Sequence, residues 1–140
     1  MQERDLRRIR VLLVHDDRDV ADSMADVLRL VDYEVRVVYS GDEAIGVAGR
    51  YRPDVVILDV NMPGMDGLRT ARQLKRDRRL SHKPFIAHTA RDEPLIRRVA
   101  AEIGFGRMVI KNSEALTETL DALLELPEES RLDQVTGKDD

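Results

Sequence analysis

The 140-residue chain lacks cysteine, lacks any apolar run long enough to span a membrane, and lacks a strong net charge of either sign. A chain without cysteine can form neither a disulfide framework nor a thiolate metal site. Its charged start, Met1 to Arg10, contains no signal-peptide core. These absences argue against a secreted or membrane-inserted protein and favour a cytoplasmic one.

The charge that is present is unevenly distributed. The formal net charge is −4, with 42% hydrophobic and 36% charged residues, a composition typical of a globular domain. Residues 127–140 hold five acidic and two basic residues and so carry −3 of that charge. The remainder is close to neutral, which argues against direct nucleic-acid binding. We expect an N-terminal extension over 1–8, one domain over 9–126, and an acidic, disordered tail over 127–140.

The most informative stretch runs from Val55 to Gly67. Four consecutive apolar residues, three of them β-branched, predict a strand buried on both faces of a sheet. Asp59 follows them and lies at the carboxyl end of that strand, where open parallel sheets bind their ligands. A Pro-Gly pair at 63–64 predicts an immediate turn, and Asp66 a cap for the next helix. Asp59 alone fits two roles, a cap for the turn or a group for phosphoryl or metal chemistry.

Four further apolar runs predict strands, and a helical pattern of apolar residues follows each strand. Besides the central one, the predicted strands are Arg10 to His15, Glu34 to Tyr39, Pro84 to His88 and Met108 to Ile110. Strands that alternate with helices imply a parallel sheet with right-handed crossovers and helices on both faces. The sequence thus predicts a doubly wound α/β fold with a five-stranded parallel sheet.

The predicted helices have recognisable ends and inner faces. Ser40 and Glu43 match a capping box, Pro94 suits a first turn and Gly104 a helix end. Asn112 or Ser113 is predicted to cap the last helix. The inner faces are predicted to include Val20, Met24, Val27, Leu28 and Val31 in the first helix and Leu116, Leu120, Leu123 and Leu124 in the last. We interpret the basic residues over 69–79 as the solvated face of a helix.

Polar side chains follow four of the five predicted strands. Asp16 and Asp17 come after the first, Asp59 ends the third, and Thr89 and Lys111 follow the fourth and fifth. Because the carboxyl ends of parallel strands share one edge, we expect these groups to converge. Three adjacent carboxylates raise one another's pKa unless a cation compensates, and Mg²⁺ takes one or two carboxylates together with water and phosphate oxygens. Lys111 could hold a phosphoryl oxygen, and Thr89 could donate a hydrogen bond to it.

Taken together, these residues resemble the receiver domain of two-component response regulators, the CheY-like family. The resemblance covers about residues 9–126 and includes the acidic pair, the Leu-Asp-Val-Asn-Met-Pro-Gly-Met-Asp-Gly stretch, the Thr-Ala and the Lys. These motifs follow in the family's order, with separations of 42, 30 and 22 residues between Asp17, Asp59, Thr89 and Lys111. The resemblance implies a (βα)5 flavodoxin-like fold with strand order 2-1-3-4-5.

The resemblance also implies a phosphorelay role for the acidic residues. Asp59 would be the phosphoacceptor, taking a phosphoryl group from a phosphohistidine of a histidine kinase or phosphotransfer protein. Asp17, the Asp59 carboxylate and the main-chain carbonyl of Asn61 would bind Mg²⁺ or Mn²⁺ directly, and Asp16 would help through water. Such a chain is not classed as an enzyme; it is a phosphoacceptor that supports its own phosphorylation and dephosphorylation.

By the same resemblance, Lys111 and Thr89 would hold the aspartyl phosphate. Movement of Thr89 toward the phosphate would change the surface of the fourth and fifth helices, where a downstream protein target or a second copy of the chain could bind. Two residues depart from the family's pattern. Met108 stands where an aromatic switch residue is usual, which predicts an altered readout. Asn112 stands where a proline is usual, which predicts a trans peptide bond after Lys111.

Three alternatives remain open on the sequence. A haloacid-dehalogenase-type phosphatase would need a second Asp two residues after the nucleophile, where this chain has Asn61. A transition-metal site could use His15, His88 and the aspartates, although one side chain at such a strand end can equally be buried and satisfied. A phosphorylation-independent adaptor, a protein-protein binding module on the receiver fold, is favoured by Met108 and Asn112.

Overall fold

A computed structural model of the chain describes residues 8–62 and 66–126. Strands and helices alternate throughout, as the sequence predicts. In chain order the elements are β1 (Arg10–Val14), α1 (Arg18–Leu30), β2 (Glu34–Val38), α2 (Gly41–Tyr51), β3 (Val55–Asp59), α3 (Gly67–Leu74), β4 (Phe85–Thr89), α4 (Pro94–Ile103), β5 (Phe105–Ile110) and α5 (Ala115–Leu124). The predicted turn at 63–64 and the predicted tail and N-terminal extension lie wholly or almost wholly outside the described residues.

The five strands form one parallel sheet in the order β2-β1-β3-β4-β5, which confirms the predicted order. The central strand β3 is buried at every position, as expected for a strand covered on both faces. The pairing places Asp59 beside His88 of β4 and Thr89 beside Ile110 of β5. The carboxyl ends of these strands therefore share one edge, and the site is built there.

Two apolar layers enclose the sheet, one on each face. The first contains alternate residues of the strands, such as Leu12 and Leu58, packed against α2, α3 and α4. The second contains the intervening residues, such as Leu13 and Ile57, packed against α1 and α5. Because successive side chains of a strand point to opposite faces, one apolar run supplies both layers. This rigid double layer fixes the strand ends on which the polar residues lie.

Most predicted helix ends are confirmed. The Ser40 hydroxyl accepts from the Glu43 backbone at 3.1 Å, and the Glu43 carboxylate accepts from the backbone of Tyr39 at 2.8 Å. Pro94 begins α4, and Gly104 closes it with a φ of 121°, which glycine adopts without steric cost. The cap predicted for α5 is wrong. Glu114 precedes that helix, and Asn112 instead accepts from the Glu114 backbone at 2.9 Å within the preceding turn.

Some residues predicted to be inside are outside. Val20, Val31 and Leu124 are exposed, because α1 buries Ala21 and Ala25 instead, and α5 turns Leu123 inward. The basic segment is solvated as expected, with one exception. Lys75 lies against the ring of Phe85, with its Nζ 4.4 Å from the ring centroid, and donates to the backbone carbonyls of the loop before β4. That lysine therefore stabilises the loop rather than forming part of a binding surface.

Candidate functional site

Asp59 lies at the end of β3 and is 1% exposed. Its Oδ1 accepts two hydrogen bonds, from Lys111 Nζ at 2.8 Å and from the backbone N–H of Asn61 at 2.9 Å. The second bond is the turn cap that the sequence leaves open as an alternative, and the first is the ion pair that phosphoryl chemistry requires. Both roles fall on one oxygen, so the cap interpretation and the chemical interpretation are compatible.

Lys111 and Thr89 reach the site from neighbouring strands. The backbone N–H of Lys111 donates to the Thr89 carbonyl at 2.7 Å, which ties the ends of β4 and β5 together. The Thr89 hydroxyl is buried and donates to the carbonyl of Arg91 at 3.1 Å. Thr89 must therefore exchange this local hydrogen bond before it can donate to a group on Asp59.

Asn61 makes a contact that the sequence did not predict. Its side-chain oxygen accepts from the backbone N–H of Ala90 at 2.7 Å, although the residue itself is exposed. The bond joins the turn after β3 to the loop that carries Thr89. No sequence signal marks it, because the bond depends on how two loops distant in the chain meet. The role of the Asn61 carbonyl as a metal ligand stays a prediction.

Gly67 lies directly against the backbone at the end of β3, next to Asp59. A Cβ atom at this position would lie 2.2 Å from the Asp59 carbonyl oxygen and 2.5 Å from Cα of Val60. Since both are backbone atoms, they cannot move aside as a flexible side chain could. The first turn of α3 thus packs directly on the end of β3 only because residue 67 has no side chain. Asp66, as predicted, caps that helix by accepting from Arg69 N at 2.9 Å.

The end of β1 is arranged differently from the sequence-based expectation. Within the described residues, the one group of possible metal ligands consists of His15, Asp16 and Asp59, whose ligand atoms all lie within 4.8 Å of one another. Asp17 instead caps α1, accepting from Val20 N at 3.1 Å. The sequence held the signal, because an aspartate just before the first helical residue is a common N-cap. We therefore move the expected direct cation ligand from Asp17 to Asp16.

His15 is the residue whose environment the sequence least revealed. It is 3% exposed, and its Nδ1 lies 3.5 Å from Asp59 Oδ2 without forming a hydrogen bond. That nitrogen accepts weakly from the backbone N–H of Asp17 at 3.4 Å. Among the buried side-chain atoms that the structure describes, only His15 Nε2 and Asp59 Oδ2 have no hydrogen-bond partner. Both lie on the side of Asp59 that faces His15, just after the end of β1.

His88 is also buried, but its Nε2 has a hydrogen-bond partner, unlike that of His15. Its ring meets that of His15 edge-on, with centroids 6.2 Å apart. Its Nε2 lies 2.9 Å from the Thr119 hydroxyl, which itself donates to the Ala115 carbonyl at 2.7 Å. Because that hydroxyl hydrogen is already used, Nε2 of His88 is the donor. Burial lowers the pKa of His88 to about 4, so the ring is neutral at pH 7.

The charges of the site are balanced against burial. Burial acts to raise the pKa of Asp59, but hydrogen bonds from Lys111 and the Asn61 backbone outweigh it, so the pKa is lowered and the carboxylate is ionised. Burial lowers the pKa of His15, although Asp59 opposes it, which favours the neutral ring. An ionised, buried carboxylate is tolerable because a cationic side chain and a backbone amide share its charge.

The residues present fit a divalent cation. Asp59 Oδ2 is a buried carboxylate oxygen without a partner, and the exposed carboxylate of Asp16 lies beside it. Carboxylate oxygens open to water are the ligands that Mg²⁺ prefers, with imidazole nitrogen better suited to transition ions. The possible side-chain ligands are thus two carboxylates and one histidine, whereas the sequence led us to expect three carboxylates.

The residues that depart from the family's pattern occupy the β5 side. Met108 lies half-buried in β5, paired with Ala87, and packs against the apolar layer that includes α4. The peptide bond after Lys111 is trans, as Asn112 predicts.

None of the described helices is both long and apolar enough to cross a membrane.

Comparisons with known proteins identify the family to which the chain belongs. The family model described as response regulator receiver domain matches residues 11–124. The Response regulator MprA of Mycobacterium sp. strain KMS is 40% identical over 84 residues, which are 60% of this chain and 36% of that protein. The chain thus spans about a third of the length of the curated relatives it matches.

Solved structures show the same fold. Chemotaxis protein CheY4 of Vibrio cholerae is 28% identical, with a TM-score of 0.77, over 83% of this chain and 98% of that one. The BeF3-activated N-terminal receiver domain of Klebsiella pneumoniae RstA is 29% identical, with a TM-score of 0.70, over 84% and 99%. On the match of the family model to most of its length, the chain belongs to the response regulator receiver domain family of two-component signal transduction.

Proposed function

We propose that Asp59 accepts a phosphoryl group from a phosphohistidine of a histidine kinase or phosphotransfer protein. A carboxylate oxygen of Asp59 bonds to phosphorus as the bond from phosphorus to the imidazole nitrogen breaks. The other nitrogen of that imidazole carries a proton, so the ring leaves as neutral imidazole. The observation that carries the proposal is the buried Asp59 carboxylate, which is paired with Lys111 at 2.8 Å and lies beside other possible cation ligands. Little other chemistry is needed, because positioning and charge neutralisation dominate phosphoryl transfer.

Mg²⁺ or Mn²⁺ is the proposed cofactor. Asp16 and Asp59 would hold it through their carboxylates, the Asn61 carbonyl would be a further ligand, and Asp17 would cap α1 instead. When bound, the cation neutralises charge on the phosphoryl oxygens and on the acceptor. Lys111 contributes a second positive charge on the opposite side of Asp59, and its Nζ can move from the carboxylate to a phosphoryl oxygen.

The output we propose is a change of protein-binding surface. Thr89 would give up its bond to the Arg91 carbonyl and donate to the phosphoryl group, moving the loop before α4. Asn61 is bonded to Ala90 in the same loop, so the turn after β3 follows the movement. Met108 would repack on this side of the sheet in place of an aromatic switch. The altered face of α4 and α5 would bind a downstream protein target, or a second copy of the chain, in the cytoplasm.

The direct test is intact mass after incubation with acetyl phosphate and Mg²⁺. We expect the wild type to gain the mass of one phosphoryl group, and the Asp59→Asn variant and an EDTA control to gain none. The matched control is Asp66→Asn, since Asp66 is another aspartate of the same turn that only caps a helix. No gain in folded wild type would contradict the proposal and favour a phosphorylation-independent adaptor.

A further inference from the structure

The group of possible cation ligands beside Asp59 includes a histidine. We propose that His15 Nδ1 joins Asp16 and Asp59 around one divalent ion and makes the site prefer borderline transition ions, such as Mn²⁺, Co²⁺ or Zn²⁺, over Mg²⁺. This inference rests on the proposed function for the location of the ion, and it goes beyond that function by naming the class of ion. It concerns a residue that the phosphoacceptor chemistry itself does not require.

Geometry places the nitrogen correctly. Two ligands on one ion at about 2.1 Å and at angles of 90° to 110° are separated by about 3.0 to 3.4 Å. His15 Nδ1 and Asp59 Oδ2 are 3.5 Å apart, and all three ligand atoms lie within 4.8 Å of one another. Small side-chain movements therefore complete the site. The backbone of the fold does not have to change.

The hydrogen bonds also leave room for an ion. The Asp17 backbone N–H donates to His15 Nδ1, so the lone pair of this nitrogen is free of a proton. Nδ1 and Asp59 Oδ2 are then two acceptors facing each other without a hydrogen between them. Two buried acceptors in this arrangement repel each other unless a cation lies between them. At 3.4 Å the bond from Asp17 is long enough to be replaced by a metal-nitrogen bond.

The preference follows from the ligand atoms. Carboxylate and water oxygens suit Mg²⁺, whereas imidazole suits the later divalent ions of the first transition row, whose affinity rises from Mn²⁺ toward Cu²⁺. Of the histidines that the structure describes, only His15 belongs to the group of possible ligands, and His88 Nε2 is hydrogen-bonded to Thr119. We therefore expect a single nitrogen on the ion.

The test measures ion binding apart from phosphorylation. Calorimetric titrations with Mg²⁺, Mn²⁺ and Co²⁺ compare the wild type with His15→Asp and with the control His88→Gln. We expect the wild type to bind Co²⁺ at least 100-fold more tightly than Mg²⁺, His15→Asp to reduce that ratio at least tenfold, and His88→Gln to leave it unchanged. Electron spin-echo modulation of bound Mn²⁺ should show one nitrogen coupling in the wild type and in His88→Gln, and none in His15→Asp.

The buried position of His15 calls for a measurement that needs no variant. In wild-type protein, the nitrogen NMR shift of His15 Nδ1 should move on adding Zn²⁺, while that of His88 stays fixed. An unchanged His15 shift, or a Co²⁺ to Mg²⁺ ratio unaffected by His15→Asp, would overturn the inference even if Asp59 is phosphorylated with Mg²⁺. If an ion binds through nitrogen but none of the tested metal ions supports phosphorylation, the inference would stand and the proposed function would be contradicted.

Discussion

The two sides of Asp59 differ in how completely the protein satisfies them. On the β4–β5 side, Oδ1 accepts from both Lys111 and the Asn61 backbone. On the β1 side, Oδ2 faces His15 at 3.5 Å, and neither it nor His15 Nε2 has a hydrogen-bond partner. The fold alone satisfies the first side, whereas on the second side the Asp59 oxygen has no hydrogen-bond partner and could bind a cation. The contacts of one oxygen stabilise the buried carboxylate, and the other oxygen remains free to bind a cation or to react.

The largest effect we expect is on the satisfied side. Lys111→Met removes the cation that neutralises Asp59, so the rate of phosphorylation by acetyl phosphate should fall by about 100-fold or more. The rate is measured by intact mass against time. Lys75→Met is the matched control, because Lys75 also donates through Nζ but lies over Phe85, away from the site. A Lys111→Met variant that is phosphorylated at the wild-type rate would remove the distinction between the two sides.

The two buried histidines allow a second test, by pH. His88 has a pKa of about 4 when folded and an ordinary value of 6.5 when unfolded, so the unfolded chain binds the extra proton between these pH values. The free energy of unfolding should therefore fall by about 3 kcal/mol between pH 6.5 and pH 4 on account of His88. Urea unfolding at several pH values measures it.

His88→Gln supplies the control for this pH dependence. Its free energy of unfolding should vary less over the same range, because the titrating ring is gone while a polar group remains near Thr119. Any pH dependence of the free energy of unfolding that remains is assigned in part to His15, because burial lowers the pKa of His15 as it does that of His88. An unchanged slope in His88→Gln would show that His88 is not the buried neutral group described.

The packing beneath Asp59 predicts a smaller effect on stability. Gly67→Ala places a methyl group against the backbone of β3 and should lower the free energy of unfolding by roughly 1 to 3 kcal/mol. Gly46→Ala is the matched control, because it lies within α2 with nothing within 4 Å of its added carbon. It should raise stability by about 0.5 to 1 kcal/mol. Thermal unfolding distinguishes the opposite signs.

The smallest effect separates the two neighbouring aspartates of the β1 side. Asp17→Ala removes the cap of α1 and should lower the free energy of unfolding by about 1 kcal/mol, with cation affinity largely kept. Asp16→Ala should leave stability nearly unchanged and weaken cation binding. Denaturant unfolding measures the free energy of unfolding of each variant, and calorimetric titration measures its cation affinity. The reverse pattern would restore Asp17 as the ligand.

The apolar runs and strand ends predicted the parallel sheet and the meeting of Asp59 with Lys111, and the resemblance to the receiver family predicted the strand order. The resemblance led us to expect Asp17 as a direct ligand with Asp16 helping through water, whereas the structure places Asp16 near Asp59 and Asp17 at the cap of α1. A shift of one residue in the start of α1 is enough to exchange these two positions. The sequence could not predict the bond from Ala90 to Asn61, which depends on the relative position of two loops.

The most direct test of the central claim is to locate the phosphoryl group. After incubation with acetyl phosphate and a divalent cation, borohydride reduces an aspartyl phosphate to an alcohol, which peptide mass spectrometry can assign to one residue. We predict that reduction occurs at residue 59 and at no other aspartate. Reduction at Asp16 or Asp17, or a phosphorylated protein in which residue 59 stays unmodified, would contradict the account.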